Sequence, residues 1–301
     1  MSNETEIAFS KMNGLGNSFV VIDAREHPLS LTGEDVRALA DASNETTKGC
    51  DQVLVIHPSR EGNEKAVFMQ IFNADGGEVE ACGNGARAVA AFLGRNGRPE
   101  VTLETLGGNL LCQSVEAGGS TSTAHITMPP PKFGWRDIPL AQEHEDTEKV
   151  RLLSDLPLAF MVNVGNPHAV MFVTEDKDVD EMAREYGAAL ECDPRFPERA
   201  NITFARIDEN GIHIATWERG AGLTLACGTA ACAVGIAAFK RQKYQAPGQG
   251  QFIIYPPFSR KRESAHVRAA ALQRLLVGFG AESELTLAGL VEFEFSGELT
   301  L

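Results

Sequence analysis

The chain has 301 residues, a formal net charge of −14 and 43% apolar residues. That length suggests two domains of ordinary size, and the apolar share is normal for a globular protein. The acidic balance argues against a nucleic-acid partner, because phosphate binding needs clustered basic residues.

The first residues, MSNETEIAFSK, are polar and acidic, with no apolar segment of a signal peptide. Residues 19–22 (FVVI) read as a strand bounded by the glycine-rich segment before them. Residues 32–42 have helical character, with Val36, Leu39 and Ala40 spaced for one face. Residues 53–56 and 67–72 read as strands, followed by a turn at Asn73-Ala74-Asp75-Gly76-Gly77. A helix is predicted from about Gly83 to Leu93, stopped by Gly94 and Gly97. Residues 101–105 and 110–115 suggest a hairpin around Gly107-Gly108, and Met128-Pro129-Pro130-Pro131 a linker. Beyond it, strands are predicted at 160–164, 169–173, 201–207 and 212–217, with helices at 179–190 and after Cys227. Residues 290–295 alternate like an edge or returning strand. No apolar run approaches the ~20 residues that span a bilayer, so no membrane partner is expected and the cytoplasm is the default compartment.

One phrase occurs twice. Residues 81–92 read ACGNGARAVAAF and residues 226–239 read ACGTAACAVGIAAF, with Cys227 following Cys82 by 145 residues. Asn17 and Asn166 are 149 apart, as are Gln52 and Asn201. Three landmarks in one order at nearly one spacing imply two copies of one unit. The halves fall at 1–130, carrying Cys82, and 131–289, carrying Cys227, with a last strand at about 290–301 free to return to the first half. The expected class is α/β (α+β), each half a mostly antiparallel sheet around a central helix.

A cysteine at a helix start gains from the positive end of the dipole, which lowers a thiol pKa. Gly83-Asn84 and Gly228-Thr229 would then offer free backbone N–H groups to an anion such as an α-carboxylate. A single buried Ala-Cys-Gly would be an ordinary packing residue; two matched copies point to two facing thiols. Cys50, Cys112, Cys192 and Cys232 have no matched partner and read as structural. No Cys-x-x-Cys spacing suggests a metal, and no metal or cofactor is expected. Gly14-Leu15-Gly16 lacks the third glycine and preceding strand of a dinucleotide site. Asn17, Gln52, Asn73, Asn166 and Asn201 are amides at loop-to-strand junctions. Each alone could be a turn residue; together they would suit a zwitterion. Glu218-Arg219 could be a surface ion pair or could hold a substrate ammonium and carboxylate. His168 could be a base or a buried structural histidine.

Six motifs in order carry a family resemblance. They are Lys11-Met12-Asn13-Gly14-Leu15-Gly16-Asn17, Phe72-Asn73-Ala74-Asp75-Gly76, Ala81-Cys82-Gly83-Asn84-Gly85-Ala86-Arg87, Gly165-Asn166-Pro167-His168, Glu218-Arg219-Gly220-Ala221-Gly222 and Ala226-Cys227-Gly228-Thr229. From about residue 8 to residue 240 the chain resembles the diaminopimelate epimerases. The resemblance implies two pseudo-symmetric α/β domains with the site in their cleft, and a homodimer. It implies interconversion of L,L- and meso-diaminopimelate, in lysine biosynthesis, without pyridoxal phosphate, metal or flavin. It makes Cys82 and Cys227 the acid/base thiols, Gly83, Asn84, Gly228 and Thr229 the carboxylate cradle, and Asn17, Gln52, Asn73, Asn166, Asn201, Glu218 and Arg219 the substrate contacts, with His168 beside them. Asn13, Ser18, Thr229, Trp217 and Leu223 depart from the residues usual in the family. Residues 245–288 depart more, with Pro256-Pro257, Arg260-Lys261-Arg262 and an apolar run at 272–279 in place of a glycine-containing strand hairpin.

One thiolate would take the α-proton from one face while the other thiol delivers a proton to the opposite face. A related cofactor-free racemase with another substrate shares this chemistry. An amino-acid-binding module with a Cys82–Cys227 disulfide would leave no free thiol there, and a thiol-disulfide oxidoreductase would carry Cys-x-x-Cys.

Overall fold

The computed structural model describes residues 6–80, 82–242, 251–257, 274–279 and 285–300; the expected basic stretch Arg260-Lys261-Arg262 and the start of the apolar run at 272 lie outside the described residues. The chain divides into two compact units, 1–126 with 288–301, and 127–287.

In the first unit, β1 (Glu6–Gly14) and β2 (Asn17–Asp23) pair antiparallel. Leu15 (φ 56°) and Gly16 (φ 84°) turn the chain between them. Two successive left-handed residues match the twist of a tight hairpin, and Asn13 Oδ1 accepts the Gly16 N–H at 3.0 Å. Helix α1 (Gly33–Ala40), opened by a Thr32/Asp35 capping box, crosses over to β3 (Gln52–Pro58), parallel to β2. Next come β4 (Ala66–Asn73), antiparallel to β3, helix α2 (Gly83–Arg95), and β5 (Glu100–Thr105), parallel to β4. β6 (Gly108–Gly118) is antiparallel to β5 and neighbours β7 (Thr121–Met128). Helix α2 packs against β1, β2, β3, β4, β5 and β6.

The second unit repeats the plan. β8 (Phe160–Asn163) is antiparallel to β9 (Pro167–Phe172); helix α3 (Val179–Glu191) crosses to β10 (Asn201–Ile207), parallel to β9. β11 (Ile212–Glu218) is antiparallel to β10, and the short β12 (Gly222–Leu223) folds back on it. Helix α4 (Gly228–Lys240) leads to β13 (Gln251–Tyr255), parallel to β11, and β14 (Leu275–Phe279), antiparallel to β13. Each unit therefore pairs its strands in the same succession: antiparallel, parallel, antiparallel, parallel, antiparallel. The last strand, β15 (Leu285–Thr300), pairs with β1 from Glu6↔Thr300 to Asn13↔Glu292 and also neighbours β7, closing the first unit's sheet around α2.

The class is mixed α/β, dominated by sheet, with the duplication visible in its pairings. Both central helices are built from small residues because strands must approach them closely. A Cβ on Gly235 of α4 would lie 2.7 Å from Val277 Cγ1 of β14. Several elements exceed what the sequence pattern suggests. β1, β7, β12 and β13 had no counterpart among the expected strands, and the last strand is 16 residues long rather than the six expected. Within the segment expected to lack the family's hairpin, β13 and β14 pair from Gln251↔Gly278 to Ile254↔Leu275.

Candidate active site

Both small-residue helices begin on a cysteine. Cys82 is the N-cap of α2 (φ −148°, ψ 112°) and Cys227 the N-cap of α4 (φ −128°, ψ 114°). An extended cap aims the first backbone N–H groups, those of Gly83, Asn84, Gly228 and Thr229, out of the helix end. Gly85 N–H donates to Cys82 Sγ at 3.3 Å. Cys227 Sγ lies 3.4 Å from Thr229 Oγ1. All six cysteines are free. Burial pushes Cys50 up to about 11 and Cys112 and Cys232 up to about 12, which leaves those three as inert packing thiols.

The two helix-start thiols differ. Cys82 is partly exposed, whereas Cys227 is 7% exposed. Burial pushes the Cys227 thiol well up, and the Glu218 carboxylate beside it adds to the rise; hydrogen bonds from Thr229 and Ala230 offset this only in part. The expectation that a helix start lowers both thiols therefore fails for Cys227. Desolvation and a carboxylate outweigh the dipole there.

In the first unit the expected amides bond in pairs. Asn84 Nδ2 donates to Asn17 Oδ1 at 2.8 Å, tying the first turn of α2 to the start of β2. Gln52 Nε2 donates to its cross-strand neighbour Asn73 Oδ1 at 2.9 Å. Gln52 also neighbours Phe19 of β2, so these groups share one end of the sheet. Gln52 Oε1 is buried with no hydrogen-bond partner among the described residues.

In the second unit, Asn166 Oδ1 lies 2.8 Å from His168 Nε2. Asn201 Nδ2 donates to Pro167 O at 3.0 Å, and Asn201 Oδ1 accepts the Arg219 backbone N–H at 2.9 Å. His168 is 0% exposed, and burial, with the nearby Arg219 charge, pulls it down to about 3. It is a neutral structural imidazole rather than a base. Glu218 and Arg219 form no ion pair with each other, because successive strand residues face opposite ways. Glu218 accepts from Thr224 Oγ1 and sits beside Cys227. The exposed Arg219 side chain reaches Glu198 O at 3.3 Å.

Two supporting residues escaped the sequence reading. Glu191, buried in the last turn of α3, accepts Gly220 N–H at 2.7 Å and Trp217 Nε1–H at 2.9 Å, and so fixes the Glu218–Arg219 turn. Its signal was an acid where the helix dipole disfavours one. Arg87 of α2 is 0% exposed and donates to Asn84 Oδ1 at 2.5 Å. Among the described residues no cluster of His, Cys, Asp or Glu is placed to hold a metal ion, and no helix is long and apolar enough to cross a membrane.

Comparison with known proteins follows the same lines. The family model for diaminopimelate epimerase matches residues 9–131 and 160–250. The diaminopimelate epimerase of Nitrobacter hamburgensis is 44% identical over 244 residues, 78% of this chain and 81% of that protein. That of Chelativorans sp. is 38% identical over 298 residues, 96% of this chain and 92% of that protein. Among solved structures, a phenazine biosynthesis protein of the PhzF family from Bacillus anthracis has a TM-score of 0.63 at 18% identity, covering 99% of this chain and all of that one. A hydroxyproline epimerase from Agrobacterium vitis has a TM-score of 0.58 at 16% identity, covering 100% and 94%. At such identities these two share the fold.

Proposed function

Because the chain belongs to the diaminopimelate epimerase family, we propose that it interconverts L,L- and meso-diaminopimelate in lysine biosynthesis, by proton exchange between two thiols and one α-carbon. The observation that carries this reading is the pair of N-cap cysteines, Cys82 and Cys227, on the matching helices of the two units. We take those units as the two halves of the enzyme.

One sulfur, as thiolate, removes the α-proton; the other, as thiol, donates its proton to the opposite face, inverting the centre. The α-carbon is a very weak acid, so the carbanion must be stabilised strongly. Charge accumulates on the α-carboxylate, where the N–H groups of Gly83, Asn84, Gly228 and Thr229 and the two helix dipoles would act on it. Asn17, Gln52, Asn73, Asn166 and Asn201 would hold the polar remainder of the substrate, and the unpartnered Gln52 Oε1 suits an ammonium group. Arg219 would take the distal carboxylate and Glu218 a positive group. His168 would act by fixing the Asn166 and Asn201 side chains. No cofactor is required. A cytoplasmic homodimer is the assembly expected of this family.

Proton NMR in deuterated water, with L,L-diaminopimelate, tests the reading. The α-proton signal should disappear as the meso isomer forms. Cys82→Ala and Cys227→Ala should each abolish this while the protein stays folded. Near-normal turnover in either variant would sink the two-thiol mechanism, and exchange of another amino acid in preference would reassign the substrate.

A further inference from the structure

Arg87 is the largest fully buried side chain among the described residues. A guanidinium taken out of water needs a compensating charge, because burying an unpaired ion costs several kcal/mol. Arg87 forms no ion pair with a carboxylate among the described residues. Its Nη2 donates to Asn84 Oδ1 at 2.5 Å and its Nη1 reaches Leu290 O at 3.4 Å, while Nε has no partner there. The charge that acts on it is that of Cys82. Burial brings the guanidinium down to about 10, so it remains a cation at neutral pH.

The other charged groups on the strands around α2 are engaged elsewhere. Lys11 of β1 donates to Gly49 O and faces Cys50, Glu294 and Asp51. Asp23 of β2 pairs with Arg25, and His57 of β3 with Gln70. On β5, Glu100 accepts from Gln113 and Glu104 from Ser59 and the Arg60 amide; β4 has no charged residue, and Glu116 of β6 is exposed. The matching position of the second unit, five residues beyond Cys227, is the neutral Cys232. Cys227 instead has Glu218 beside it. One helix-start thiol thus sits over a buried cation and the other beside a carboxylate.

We propose that Arg87 is a positioning residue that keeps Cys82 as the resting thiolate, while Cys227 rests as the protonated thiol. This deepens the two-thiol reading and rests on it. In the resting enzyme the pair holds one proton, on Cys227. On turnover Cys82 takes the α-proton and Cys227 gives up its own, so the occupied and empty sulfurs exchange. Arg87 then favours release of the new proton from Cys82 to water, as Cys227 regains one. The same guanidinium orients Asn84, which in turn orients Asn17.

The test follows the pH dependence of alkylation by iodoacetamide on the full-length protein, with Cys82 and Cys227 scored separately by peptide mass mapping. The midpoint reports each thiolate whatever its absolute accessibility. In the wild type, Cys82 should have a midpoint at least one pH unit below that of Cys227. Arg87→Gln, which keeps a donor for Asn84 but removes the charge, should move the Cys82 midpoint up by at least one unit. That is a roughly tenfold fall in its reactivity at pH 7. Cys227 should not move, and Arg87→Lys should restore most of the effect. The acid limb of the kcat/KM profile should shift up with Cys82. A Cys82 midpoint at or above that of Cys227 in the wild type overturns the proposal, and so does an unmoved Cys82 in folded Arg87→Gln. Should that variant not fold, the wild-type order alone decides. If the order holds but diaminopimelate loses no α-proton, the functional reading fails and the charge assignment stands.

Discussion

His168 lies within β9 with its Nε2 held by Asn166, and burial keeps its imidazole neutral down to about 3 against an ordinary value of 6.5. Stability must therefore depend on pH in a stated direction. Below 6.5 the unfolded chain binds a proton at this histidine and the native protein does not, so the native state loses ground as pH falls, until about 3. The slope from this group is about 1.4 kcal/mol per pH unit. Between pH 5 and 6.5, where carboxylates contribute little, His168→Gln should flatten the fall in stability by that amount, read from urea midpoints at several pH values. Equal slopes in the two proteins would show that His168 is not buried neutral. The cysteines and amides were legible at this scale because the duplication marks them twice, at helix starts and strand ends. Arg87 and Glu191 were not. An arginine among small helical residues reads as a surface group, and neither its burial nor its missing carboxylate is written in the local pattern.

Helix α4 reads Gly-Thr-Ala-Ala-Cys-Ala-Val-Gly-Ile-Ala-Ala-Phe-Lys, nearly all of it buried. Its apolar, small-residue character was visible in sequence; the reason lies in how closely β14 approaches. Gly235→Ala removes a poor helix former, a gain of ~1 kcal/mol in an open helix. Here the new Cβ would meet Val277 Cγ1 at 2.7 Å and Val277 Cβ at 3.1 Å. A β-branched neighbour in a strand cannot swing away, so overpacking should win. The net loss should be about 1–3 kcal/mol, measured as a lower urea midpoint, and a raised midpoint would mean that β14 yields. The strands that sequence missed have comparable local causes. β1 carries a buried lysine, Lys11, whose ammonium donates to Gly49 O, and this breaks its apolar pattern. β7 alternates perfectly, but its inward residues are Ser122, Ala124, Ile126 and Met128, two of them too small or polar to signal a strand.

For the molecule as a whole, the proposed chemistry requires that one thiol from each unit reach the same carbon. Cys82 and Cys227 must then come close when the site is empty, and a two-electron oxidant should trap them. Hydrogen peroxide would oxidise the Cys82 thiolate to a sulfenic acid, releasing hydroxide. Attack by Cys227 sulfur would form the disulfide and release water. The bridge needs Cα atoms roughly 4.4–6.8 Å apart, so it reports the approach of the two units directly. Competing partners are poor. Cys112 and Cys232 are buried, with thiols raised to about 12, and Cys50 is raised to about 11. Peroxide should therefore abolish activity, a dithiol reductant should restore it, and bound diaminopimelate should protect by occupying the gap. Non-reducing peptide mapping of the inactive protein should link the peptide containing Cys82 to the one containing Cys227. Linkage through Cys192, the exposed thiol, or full activity with the 82–227 bridge in place, would show that the two sulfurs do not flank a common carbon.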